Sequence, residues 1–147
     1  MTLQLPFGLT GDHIPEVTIR FRVASTKVMS GYDEIIVRGA GEVELQAASM
    51  ADAEPAVRRA NLPPAMVERL LGLLRAEGVE GWDEEYPSET RDYVAKLLTV
   101  ERGDLRLKQV AMCRQEFAEF SRVYGALKLV ASLATPEVLT GDFFQRI

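Results

Sequence analysis

Tyr32-Asp33-Glu34-Ile35-Ile36-Val37-Arg38-Gly39-Ala40-Gly41-Glu42-Val43-Glu44-Leu45-Gln46-Ala47 reads as two strands folded back on a glycine-rich turn. A three-residue loop, Gly39-Ala40-Gly41, pairs Val37 with Val43 and Ile35 with Leu45, and sets Arg38 against Glu42 on the other side. A two-residue loop would mix the faces, so the apolar pattern selects the longer one, with a glycine available for its left-handed position.

Upstream, Val17-Thr18-Ile19-Arg20-Phe21-Arg22-Val23 alternates apolar with polar side chains. That period of two predicts a half-buried antiparallel strand, joined to the hairpin by a connection containing Ser30-Gly31. Downstream, residues 48–62 carry no strong period and read as a connection with at most one helical turn. Pro63-Pro64 then opens a helix whose apolar stripe is Met66, Val67, Leu70, Leu71, Leu73 and Leu74, with Gly78 as its C-cap.

From Val79 to Asp92 the chain is acidic, is interrupted by Pro87, and carries Trp82 and Tyr86; it reads as a loop returning to the sheet. A second hairpin follows, Tyr93 to Arg102 and Leu105 to Met112, around a Gly103-Asp104 type II′ turn. Its register pairs Val100 with Leu107 inside and Glu101 with Arg106 outside. Phe117, Phe120, Val123, Tyr124, Leu127 and Val130 recur at helical spacing, and Thr135-Pro136 starts a further short helix before the apolar Phe143-Phe144 tail.

The order β-β-β-α-β-β-α-(α) predicts an α+β fold, an antiparallel sheet of about five strands with two main helices on one face. The 147 residues suit a single domain, with 1–15 a loose N-terminal segment and 136–147 a short helix and tail.

Seventeen basic against twenty-two acidic residues leave a net charge of -5, which opposes binding of nucleic acid through the whole surface. Arg58-Arg59 is the one adjacent basic pair. One cysteine, Cys113, cannot form an intramolecular disulfide, which favours a reducing interior. Met1 to His13 has neither Lys nor Arg nor a signal-length apolar run, and no stretch reaches the roughly twenty apolar residues of a membrane span. The expectation is a cytoplasmic protein with no membrane contact. Thirteen Arg against four Lys, with Asn61 the sole asparagine, read as the composition of a GC-rich bacterial genome.

No constellation for catalysis emerges. His13 and Cys113 are the only histidine and cysteine, too few for a structural zinc site, and nothing in their spacing favours a nucleophile and base. The acidic run with Glu80, Asp83-Glu84-Glu85, Glu89 and Asp92 lacks the alternating ligands and turn glycine of a calcium loop. The glycines form no phosphate cradle, and the hairpin turn accounts for the Gly-Asp of Arg102-Gly103-Asp104. No catalytic residue, metal or cofactor is expected.

The run Tyr32 to Val43, the segment Pro64 to Tyr86 and the hairpin after it resemble a family of small bacterial α+β domains of unknown function. Their halves are similar to β-lactamase-inhibitor-like β-β-α-β-β domains. The resemblance spans roughly residues 17–134 and supplies no catalytic residues. The chain departs from the family in having Ser25-Thr26-Lys27-Val28-Met29-Ser30-Gly31 where paired cysteines are often found, and in its longer C-terminal tail.

These features point to a non-enzymatic module that binds a protein partner, because helices on one side of a sheet leave its other face or an edge available. The candidate surface is Trp82, Asp83, Glu84, Glu85, Tyr86, Arg91 and Asp92, with Phe143 and Phe144 of the tail. Trp82 also has the reading of a plug at the core's edge. Two alternatives stand beside it. One is a small-ligand protein or enzyme with a pocket between sheet and helices, using Tyr93, Arg91, Asp92 and Glu85; the other is a homodimer formed through a strand edge or the tail.

Overall fold

A computed structural model describes residues 4–25, 31–50 and 54–134. Among these described residues seven strands form one sheet: β1 (Val17–Ser25), β2 (Tyr32–Arg38), β3 (Glu42–Ala48), β4 (Ala56–Asn61), β5 (Glu85–Tyr86), β6 (Val94–Arg102) and β7 (Leu105–Met112). Helix α1 (Pro64–Ala76) follows β4 and α2 (Ala118–Ala134) follows β7, so the chain is an α+β protein. The strand order is β4-β3-β2-β1-β6-β7-β5, with β1 at the centre. All pairings are antiparallel except the two-residue β5–β7 pair.

Val17, Ile19, Phe21 and Val23 point from β1 to one side, where they meet Ile35, Val37, Val43 and Leu45 from β2 and β3 and Leu98, Val100, Val110 and Met112 from β6 and β7. Helix α1 adds Val67, Leu70, Leu71 and Leu74, and α2 adds Phe120, Val123, Tyr124 and Leu127. Both helices therefore cover one side of the sheet and bury one contiguous core. Phe21 sits at its middle, 5.0 Å from the ring of Tyr124 and 5.9 Å from that of Phe120.

The first hairpin has the expected register, Val37 opposite Val43 and Ile35 opposite Leu45, and Arg38 lies 3.2 Å from Glu42. Helix α1 ends where left-handed Gly78 (φ +81°) leaves it, with the Gly78 N–H donating to the Arg75 carbonyl at 3.0 Å. The second hairpin departs from the expectation. Glu101 does face Arg106, but Val100 faces Lys108 and not Leu107, because a bulge shifts the register there. The cause is visible in β7: its apolar residues fall on odd positions at Leu105 and Leu107, then on even positions at Val110 and Met112. One extra residue lets the turn keep its geometry while Val110 and Met112 still face the core.

Three further expectations are corrected. The connection at 48–62 contains β4, so the sheet has seven strands and not about five. The return loop contains β5, whose two residues exist as a strand only because β7 lies alongside. The N-terminal segment, expected to be loose, is packed from residue 4: Leu5, Leu9 and Ile14 are buried, and Arg75 donates to the Leu5 carbonyl at 3.3 Å. Irregular spacing hides those three leucine and isoleucine anchors from any periodic pattern. Gly39 shows how closely the segment approaches, since a Cβ there would lie 1.5 Å from the Ile14 carbonyl oxygen. The expected helix at Thr135-Pro136 and the Phe143-Phe144 tail lie outside the described residues.

Candidate functional site

The outer edge of β4 is built by the end of the first hairpin. Leu62 N–H donates to the Gly41 carbonyl at 2.7 Å, in step with the register that pairs Asn61 with Glu42 and Ala60 with Val43. In an antiparallel ladder, bonding residues alternate along the strand. Ala60, Arg58 and Ala56 therefore bond to β3, and the N–H and C=O groups of Val57, Arg59 and Asn61 point away from the sheet. Among the described residues no other strand lies there. The strand is mostly exposed and contains no proline, and its one defence is the pair Arg58-Arg59.

The sheet face away from the helices is charged but self-neutralising. Arg59, Glu44, Ile36, Arg20 and Thr99 form one row across it, and Val57, Gln46, Glu34, Arg22 and Leu97 the next. Arg20 reaches Glu101 at 2.9 Å and Glu34 at 3.7 Å, and Arg22 reaches Glu34 at 2.8 Å. Arg59 lies 3.2 Å from Glu44. The Gln46 amide donates to Glu44 at 2.6 Å and, with Arg59, holds that carboxyl below its ordinary value although burial opposes the shift. These three arginines are thus matched by acids on neighbouring strands, which leaves this face without a field of one sign.

The acidic segment expected to form a contact surface is engaged in the fold. Trp82 is corrected to a core residue: its ring is 5.0 Å from Phe117 and 5.8 Å from Phe120, and little of it reaches solvent. Asp83, Glu84 and Glu85 are exposed, but their backbone covers the end of the β7 edge, with Ala111 N–H donating to the Glu84 carbonyl at 2.8 Å and Cys113 N–H to that of Tyr86 at 2.9 Å. Lys108 donates to the carbonyls of Glu80 and Trp82. The Tyr86 hydroxyl accepts from Asp83 N–H at 2.9 Å, and Arg114 lies over its ring. Arg91 and Asp92 are exposed farther along the loop and are not joined to this group.

Between the 88–94 loop and residues 113–115 lies an open cleft of about 560 Å³, lined by Asp92, Tyr93, Lys96, Cys113 and Arg114 among others. Of the four residues expected to line a ligand pocket, Tyr93 and Asp92 line it; Arg91 and Glu85 do not. Lys96 is held by Glu116 at 2.5 Å, and Glu116 also accepts from Ser121 at 2.8 Å. Burial pushes the Cys113 thiol above its ordinary value and the Glu85 charge adds to this, with a hydrogen bond to Tyr93 opposing. Such a thiol is a weak nucleophile at neutral pH. His13 sits in the 3-10 helix Gly11–Glu16, where its Nδ1 accepts from Thr10 N–H at 3.0 Å. Among the described residues no group of three His, Cys, Asp or Glu is placed to hold a metal, and no helix is long and apolar enough to cross a membrane.

Pattern reasoning missed Val57, Arg59 and Asn61. A usable signal did exist: Pro55 and Pro63 bracket a stretch the length of a strand, with no acidic residue in it. No family model matches this chain, and no curated protein matches it.

Proposed function

We propose that this protein is a non-enzymatic interaction module that takes an extended segment of a partner protein along the outer edge of β4. The supporting observation is the row of outward N–H and C=O groups on Val57, Arg59 and Asn61, a template for one further strand. The Val57 carbonyl also accepts from Arg58 at 3.5 Å; the self-paired open face and the engaged acidic segment offer no comparable row of outward backbone groups.

The discriminating variant is Val57→Pro, which removes one outward N–H and leaves the β3–β4 ladder whole, as proline tolerates an edge position whose N–H faces solvent. Native protein is expected to retain a stoichiometric partner from its host's lysate, with slowed amide exchange at Val57, Arg59 and Asn61, and Val57→Pro to lose both while staying folded. Equal retention by the variant, or unchanged exchange at those amides, refutes the edge reading. The cleft beside Tyr93 and Lys96 supports a second reading, a small-ligand site. A ligand screen giving shifts at Tyr93 and Lys96, with β4 silent, would favour it.

A further inference from the structure

The cleft beside Tyr93 and Lys96 lies where β6 and β7 part. Resting on the small-ligand reading of that cleft, we infer that its ligand is the amino end of an extended peptide whose first residue is apolar. Two N–H groups fix the direction of the bonds in upper β7: Ala111 donates to the Glu84 carbonyl and Cys113 to that of Tyr86, both away from β6. Val110 and Met112 therefore bond to β6, at Leu98 and Lys96. By the same alternation the N–H and C=O of Val94 point to the β7 side. The ladder ends at Lys96 and Met112, so Arg114, next in register for Val94, does not pair with it. Arg114 turns away, with its guanidinium 5.3 Å from the centre of the Tyr86 ring. The space between Val94 and Arg114 belongs to the cleft, which both residues line. Among the described residues no hydrogen bond reaches either backbone group of Val94.

The geometry of this gap selects its occupant. An N–H and a C=O flanking one Cα are matched by the C=O and N–H of another extended residue in an antiparallel pair. That arrangement needs a single residue, in the place Arg114 leaves. A parallel segment needs residues on both sides of that place, and Cys113, held by its bond to Tyr86, already fills the inner one. An antiparallel segment runs from Lys96 outward to the 88–92 loop, so its amino end lies innermost. Residues directly opposite share a face, which sets the first side chain beside that of Val94, 39% exposed and suited to an apolar neighbour. At about 560 Å³ the cleft has the size of a site for a short peptide end.

The test uses the full chain and two peptides, Val-Thr-Thr amide with a free amino end and its acetylated twin, followed by backbone amide signals. The free peptide is expected to slow amide exchange at Val94 and to shift the signals of Val94, Tyr93 and Lys96. Acetylation lengthens the inner end, and Val94→Pro removes the N–H at the first position of a strand, where proline is tolerated. Each is expected to weaken binding about tenfold, the worth of one hydrogen bond. Equal binding of the acetylated twin to the native protein overturns the amino-end assignment. Responses at Val57, Arg59 and Asn61 with Val94 silent assign the peptide to β4 and overturn the inference. If Val94 ignores both peptides while other small molecules shift Tyr93 and Lys96, the peptide inference falls and the small-ligand reading stands. Silence of all three residues towards every probe overturns the two together.

Discussion

Deleting Gln109 from β7 should be tolerated, because the strand already carries one residue more than its partner. With Gln109 gone, Leu105, Arg106, Leu107 and Lys108 run on in an unbroken ladder to Val110, and Val100 faces Leu107. Val110 and Met112 keep their places opposite Leu98 and Lys96. Lys108 turns to the open face and gives up the carbonyls of Glu80 and Trp82. Hydrogen bonds to a charged group are worth about 1.5–3 kcal/mol at most, less where water reaches them. Leu107, now only partly buried, gains cover on the inner side. A net loss of about 1–2 kcal/mol follows.

Deleting Arg20 from β1 is the contrast. That strand is paired on both sides, so either Val17 and Ile19 or Phe21 and Val23 must leave the core, all of them at most 1% exposed. At roughly 1.5–3 kcal/mol for each buried side chain, the loss is about 3–6 kcal/mol, a large part of the total stability of an ordinary domain. Urea unfolding of both variants measures the difference. A Gln109 deletion that costs as much as the Arg20 deletion, or that removes the contact between Val110 and Leu98, refutes the account of the bulge.

Other outcomes test the rest of the structure. Glu44 is held below the ordinary carboxylate value of 4.5 in the folded protein, so its contribution is present above that value and is lost as pH falls through the lowered one. The urea midpoint of Glu44→Gln should lie below native at pH 7 and converge on it in acid. Gly39→Ala should cost about 1–3 kcal/mol, since its methyl group meets the Ile14 carbonyl, whereas Gly11→Ala, with open space around it, should stay within about 0.5 kcal/mol. Cys113 should react slowly with iodoacetamide at neutral pH and faster in Glu85→Gln, which removes one of the causes raising its thiol. Stability should fall as pH rises above the ordinary thiol value of 9.0, because the unfolded chain ionises first.

The two hairpins and both helices were legible because their signals are local: Val37 and Val43 are six residues apart, and the stripe from Val67 to Leu74 spans two turns. In β7 even the bulge was written in the phase of Leu105, Leu107, Val110 and Met112, though pairing Val100 with Leu107 overlooked it. What the tertiary structure alone decided involves partners far along the chain. Ile19 meets Val100 in the centre of the sheet, a pairing no local pattern encodes. Among the described residues strand β4 has one neighbour and no buried stripe, so its Ala and Arg residues carry no period of two and adopt a strand because β3 offers a ladder. Glu85 and Tyr86 become a strand only beside β7, and Trp82 becomes core only because α2 brings Phe117 and Phe120 onto it. Local propensity and periodicity therefore determined the hairpins and helices of this protein, while backbone groups and apolar surfaces with no local partner decided β4, β5 and the arrangement of the whole, and left the outer edge of β4 without a neighbouring strand among the described residues.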